Sequence, residues 1–116
     1  MGMVEEVAEA IKRMVAKLLF GKSFDNYEEI MISHSIEEEV LLITLKRLAF
    51  EGKVNEAEDM LFDNAKNSKV ENLPYVVIEF YTMLMNKSDE EFKEFKFSKE
   101  EIYDGIEDIK KYIIKN

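Results

Sequence analysis

His34 is the single imidazole in 116 residues, and Ser33, Ser35, Glu37 and Glu38 stand close to it in sequence. These are the residue types from which a general base, a nucleophile or a metal centre is assembled. The spacing argues against each. A helical di-iron centre takes a Glu-x-x-His step from two helices, whereas Met31 stands three residues before His34 and no second histidine exists. His34 therefore reads as a loop or cap residue. Glu37-Glu38-Glu39 and Asp89-Glu90-Glu91 follow Ser35 and Ser88, where first-turn acids meet the open N–H groups of a helix N-terminus. Neither run has the twelve-residue spacing and central glycine of a calcium loop. Four scattered glycines build no phosphate-binding loop, and the lack of cysteine removes thiolate zinc sites and cysteine nucleophiles together. No catalytic residue, metal ligand or cofactor is assigned.

Glu79 needs separate weighing, because it interrupts the apolar run from Val76 to Met85. Buried, it would be a candidate for acid–base work; at the edge of the helix it would simply face water, which is the plainer reading. Around it, Tyr75, Phe80, Tyr81, Met83 and Met85, with Tyr103 and Tyr112, are the residues suited to an adaptable apolar contact surface. Packing into the core is the plainer reading of the same residues, since so apolar a helix must be covered by its own chain or, failing that, by another.

The totals narrow the field further. Twenty-five acids against sixteen lysines and arginines give a net charge of −9, with the bases interspersed among the acids. Such a field repels phosphate backbones and anionic lipid, so neither nucleic acid nor a membrane surface is an expected partner. The opening Met1-Gly2-Met3-Val4-Glu5-Glu6 is acidic where a secretory signal is basic, and no apolar run approaches the length of a membrane span. Together with the missing cysteines, this predicts a cytoplasmic protein. With 47% hydrophobic residues the chain can bury a core unaided, and its length suits a single helical domain over 1–116.

The elements that position these residues are all helical. Val4, Val7, Ile11, Met14 and Leu18 recur in steps of three and four, predicting a first helix over 4–20 that ends at Gly21. Asn26 with Glu29 has the form of a capping box for a short second helix. Ser35 with Glu38 opens a third over 36–51, apolar round most of its circumference and so expected at the centre. Asn55 with Glu58 predicts a fourth over 56–66 with a stripe of Ala57, Met60, Leu61 and Ala65, followed by the longest loop, Asn64 to Asn72. Pro74 opens a fifth helix running through Met85; a strand there would have no partner. Ser88 with Glu91 starts a short helix carrying Phe92 and Phe95. Ser98 with Glu101 starts the last, over 99–114, with Ile102, Ile106, Ile109 and Ile113 as its seam. Gly105 inside that helix points to close approach by a neighbour.

Leu41, Leu48, Gly52, Ala57 and Leu61 fall at the large-large-Gly-Ala-large spacing of a tetratricopeptide repeat, so the hairpin at about 36–66 resembles one such unit. Leu45, Asn64 and Lys69 depart from that pattern, and no second copy follows at the repeat period. The whole chain also resembles uncharacterised small helical proteins of Gram-positive bacteria, a likeness that implies no activity. The fold expected is an all-α bundle of six to seven helices containing one tetratricopeptide-like hairpin. The expected function is protein or peptide binding or scaffolding, including self-association as a homodimer through the terminal seams. Tyr75, Glu79, Tyr81, Met83, Met85, Ile106 and Ile109 are the candidate partner-binding residues. The competing expectation is a small-ligand-binding or carboxylate-based enzyme domain, with its site between helices near Glu79, His34 or the Ser35 cap.

Overall fold

The computed structural model describes residues 2–21, 27–67 and 69–113, giving only the backbone of residues 2–6. Among the described residues every regular element is an α-helix: α1 Gly2–Phe20, α2 Tyr27–Ile32, α3 Ile36–Phe50, α4 Val54–Asn67, α5 Leu73–Met85, α6 Asp89–Glu94 and α7 Lys99–Ile113. Serine–glutamate pairs fix three of the starts. At α6 the Ser88 hydroxyl accepts from the Glu91 N–H at 3.2 Å, while the Glu91 carboxylate accepts from the Ser88 N–H at 3.0 Å. Ser98 accepts from the Glu101 N–H at 3.2 Å to open α7, and at α3 the Glu38 carboxylate accepts from the Ser35 N–H at 2.6 Å. Each satisfies backbone donors that a helix start leaves unpaired. Asn26, the expected cap of α2, lies outside the described residues.

The centre of the molecule is α5, not α3. Leu73, Tyr75, Val76, Val77, Ile78, Phe80, Tyr81, Leu84 and Met85 are all buried, so α5 is apolar round its circumference and must be enclosed. Helices α3, α1 and α7 make its main contacts, and α2 and α4 touch it at the margin. On α3 Leu41, Leu42, Leu45 and Ala49, with Glu38, are buried and Leu48 packs against the core, while Ile36, Val40, Ile43 and Phe50 face out. Two helices had the composition of a central one; one centre was available, and the more apolar took it.

The stripes of α1 and α4 also differ from the expected ones. On α1 the fully buried residues are Val15, Ala16 and Leu19, flanked by partly buried Ile11 and Leu18, while Val7 and Met14 are exposed. The helix is thus rotated by about one residue from the seam its large side chains suggest, because α5 and α7 receive it on its alanine side. Helix α4 begins at Val54, itself buried, so Asn55 lies inside the helix and Met60 outside the stripe of Val54, Ala57, Leu61 and Ala65. It also runs on through Asn67. Asn64 and Asn67 donate their side-chain amides to the carbonyls of Met60 and Asp63, each at 2.9 Å, shortening the expected long loop.

Helices α3 and α4 form a hairpin that turns at Gly52, whose φ of 82° lies in the region open to glycine. The α7 seam is occupied as expected: Ile102, Ile106 and Ile109 are buried and Ile113 packs against the core. Gly105 is also explained. A Cβ there would lie 2.5 Å from Glu58 Oε2 and 2.6 Å from Tyr81 Oη, the two partners of a 2.7 Å hydrogen bond wedged against the α7 backbone. Burial, with the nearby Glu101, Asp59 and Asp108 charges, pushes the Glu58 carboxyl up, and the Tyr81 hydrogen bond only partly opposes it. Gly105→Ala is expected to lose about 2 kcal/mol in urea denaturation, the overpacking outweighing alanine's helix preference. Thr82 is buried in α5 with its hydroxyl lacking a hydrogen-bond partner among the described residues. Thr82→Val is therefore expected to raise stability by about 1 kcal/mol in the same assay.

Candidate functional site

The residues singled out in the sequence as partner-binding lie mostly in the core. Tyr75, Tyr81, Met85, Ile106 and Ile109 are buried; Met83 and Glu79 are half-buried, Met83 packed against the core. These positions do not make an outward apolar surface, because α1, α3 and α7 enclose α5 and α7 spends its isoleucines on that enclosure. This chain covers α5 itself, as the core-packing reading expected.

Two of the polar residues do converge. Between α1, α2 and α5 runs a cleft of about 520 Å³ whose lining includes His34, Glu79, Tyr27 and Tyr75. The Tyr75 ring stacks on the His34 ring, centroids 4.1 Å apart and planes 4° from parallel, and the Tyr75 hydroxyl donates to Glu39. His34 Nε2 lies 3.3 Å from the same carboxylate oxygen, and its Nδ1 lies 3.2 Å from the Met31 carbonyl. Across the cleft Lys12 pairs with Glu79 at 3.2 Å, Tyr27 donates to Glu9 at 2.6 Å, and the Arg13 guanidinium sits 4.7 Å from the Tyr27 ring centre. Burial, reinforced by the hydrogen-bonded glutamates, raises both tyrosine hydroxyls far above their ordinary range, so both remain protonated donors. The cleft's polar groups thus pair with one another, stitching three helices together. Among the described residues no group of three or more metal-ligating side chains is placed to hold an ion.

Beside this cleft lies a second polar junction, which sequence spacing showed only in part. Glu38 is 2% exposed and accepts from the Ser35 N–H at 2.6 Å, the Ser35 hydroxyl at 2.8 Å and the Asn72 N–H at 3.2 Å. Burial pushes its carboxyl up, but these bonds, with one from the Glu71 backbone, outweigh that and hold it below the ordinary 4.5. Asn72 in turn donates to the Ile30 and Ser33 carbonyls at 2.8 and 2.9 Å, tying the end of α2 to the start of α5. The Ser35–Glu38 spacing announced the cap; the bond to Asn72, 34 residues away, left no local mark.

The surface without internal partners is the outer face of α3. Ile36, Val40, Ile43, Arg47 and Phe50 follow one another in steps of four, three, four and three, which places them on one side of the helix. It is the side opposite the buried Leu42, Leu45 and Ala49, and its four apolar residues are 80%, 58%, 54% and 80% exposed in chain order. The same spacing rule that found the seam of α7 would have found this stripe, had α3 not been expected at the centre. The remaining exposed apolar side chains, such as Val7, Ile32 and Met60, are distributed over other helices.

A family model described as "Family of unknown function (DUF6483)" matches residues 2–113, nearly the whole chain. The chain belongs to that family. No curated protein and no solved structure matches it significantly. No described helix is long and apolar enough to cross a membrane.

The Glu38 junction gives a direct test of what holds α2, α3 and α5 in register. Because its folded value is depressed, Glu38 contributes stability above the ordinary glutamate range, and this is lost as pH falls through the folded value. Glu38→Gln is expected to cost about 2 kcal/mol at neutral pH, read from urea midpoints, and the gap to the parent chain should narrow as pH drops below 4.5.

Proposed function

We propose that this protein is a helical protein-binding module whose working surface is the outer face of α3. One observation carries the reading: an apolar stripe, Ile36, Val40, Ile43 and Phe50, broken only by Arg47 and left more than half exposed on a helix whose opposite face is already committed to the core. Single exposed apolar residues are ordinary on protein surfaces, but a contiguous stripe of large ones marks a place where another apolar surface docks. A helix laid along it would meet side chains at i, i+4, i+7 and i+14, the register by which helices grip each other.

The α3–α4 hairpin supports the same reading, since tetratricopeptide-like spacing belongs to units that present helix faces to peptide partners. An enzymatic or small-ligand site in the α1–α2–α5 cleft is less well supported, because Lys12, Glu79, Tyr27, Tyr75 and His34 are each engaged with a neighbour in the cleft wall.

The test is an apolar fluorescent probe in dilute solution. The parent chain is expected to enhance bis-ANS fluorescence, and Ile43→Lys to remove most of that enhancement. Its urea midpoint should stay within about 0.5 kcal/mol of the parent's, as for a surface substitution. Undiminished dye binding by Ile43→Lys would place the accessible apolar surface elsewhere and overturn α3 as the working face.

A further inference from the structure

We infer that the occupant of the α3 face is a second copy of this chain, docked with its own α3 antiparallel about a two-fold axis near Ile43. The inference rests on the reading of α3 as a binding face and adds the identity and orientation of what binds. Charge along the helix chooses both. Glu37 and Glu39 stand in its first turns and Lys46 and Arg47 in its last, so each copy carries an acidic end and a basic end beside one apolar stripe.

Antiparallel docking sets the acidic end of one copy against the basic end of the other, twice by symmetry, and opposes the two helix dipoles. Glu39, still 42% exposed although one of its oxygens accepts from Tyr75, lies seven residues from Lys46 on the same flank of the stripe, and in an antiparallel pair like flanks meet, bringing Glu39 to Lys46 of the other copy. Parallel docking instead brings Arg47 onto its own symmetry mate, because Arg47 lies within the stripe, and leaves two like charges facing each other at an interface losing its water. Glu51, the one acid at the basic end, is already paired with Lys53 at 3.6 Å.

Size sets the strength. The four apolar side chains expose on the order of 500 Å² by their fractional exposures, against about 800 Å² per partner in a standard interface. The pair is therefore a reversible dimer that forms with rising concentration. The repulsion between two chains of charge −9 acts at long range and is screened beyond about 8 Å at physiological salt, leaving the local pattern to decide the contact.

Sedimentation velocity of the full chain over a wide concentration series tests this. The parent chain is expected to pass from monomer to dimer, and Ile43→Lys, which faces its own mate across the axis, to raise the dissociation constant at least tenfold. Arg47→Glu should weaken the dimer, and adding Glu37→Lys to it should recover part of the loss, since one charge at each end is then reversed; a parallel pair predicts no recovery. All these positions are exposed or at the rim, and unchanged urea midpoints verify that each variant folds. A parent chain monomeric throughout, with dye binding still lost in Ile43→Lys, overturns the second copy and leaves the α3 reading standing. A dimer indifferent to Ile43→Lys overturns the second copy as the occupant of α3, the dye result alone deciding the α3 reading, and absent charge-swap recovery overturns the antiparallel arrangement.

Discussion

A helix that is apolar on every side cannot face water on any of them, and α5 imposes that condition on the whole molecule. Its thirteen residues bury ten side chains, including Phe80 and Tyr81, whose rings meet edge to face at 5.2 Å between centroids. Burying each large side chain is worth roughly 2 kcal/mol, so α5 dominates the apolar contribution to folding. Three long helices are required to surround it, and α1, α3 and α7 do so, each turning in one face. What remains follows from that enclosure: α4 covers the gap between α3 and α7, and α2 closes one end.

Apolar enclosure is not directional, so polar contacts must fix how the covering helices are aligned. They lie at the two ends of α5. At its start Glu38 and Asn72 bind four backbone groups, on Ile30, Ser33, Ser35 and Asn72, into one junction. Toward its far end Tyr81 reaches across to Glu58 beneath Gly105, locking α4 and α7 against α5 at a distance only glycine permits. Along the side, Lys12 meets Glu79 and holds α1 in its rotated setting. Glu79, the one acid within the apolar run, serves as an edge group gripping the neighbouring helix.

The same enclosure explains the unused face of α3. Having apolar residues on both sides, α3 can cover α5 with only one of them, and the stripe from Ile36 to Phe50 is left outside. A surface produced in this way is rigid, because the opposite face of the same helix is anchored in the core, and such rigidity would reduce the entropy lost by anything that docked there.

Much of the fold was legible in the residue order, because helix starts are local events. Ser35–Glu38, Ser88–Glu91 and Ser98–Glu101 lie within one turn of the bonds they make, and the chain needs nothing distant to form them. The isoleucine seam of α7 was equally plain, since its other faces are charged and leave one way to bury it. The helical class, the number of helices and the reason for Gly105 therefore came from sequence. Tertiary structure decided the rest: which of two apolar helices is central, which side of α1 turns inward, and that Tyr75, Tyr81, Ile106 and Ile109 serve the core while Ile36, Val40, Ile43 and Phe50 do not. Periodicity states that a face will be buried, but when a helix carries apolar residues on more than one face, only its neighbours determine which face is covered and which is left exposed.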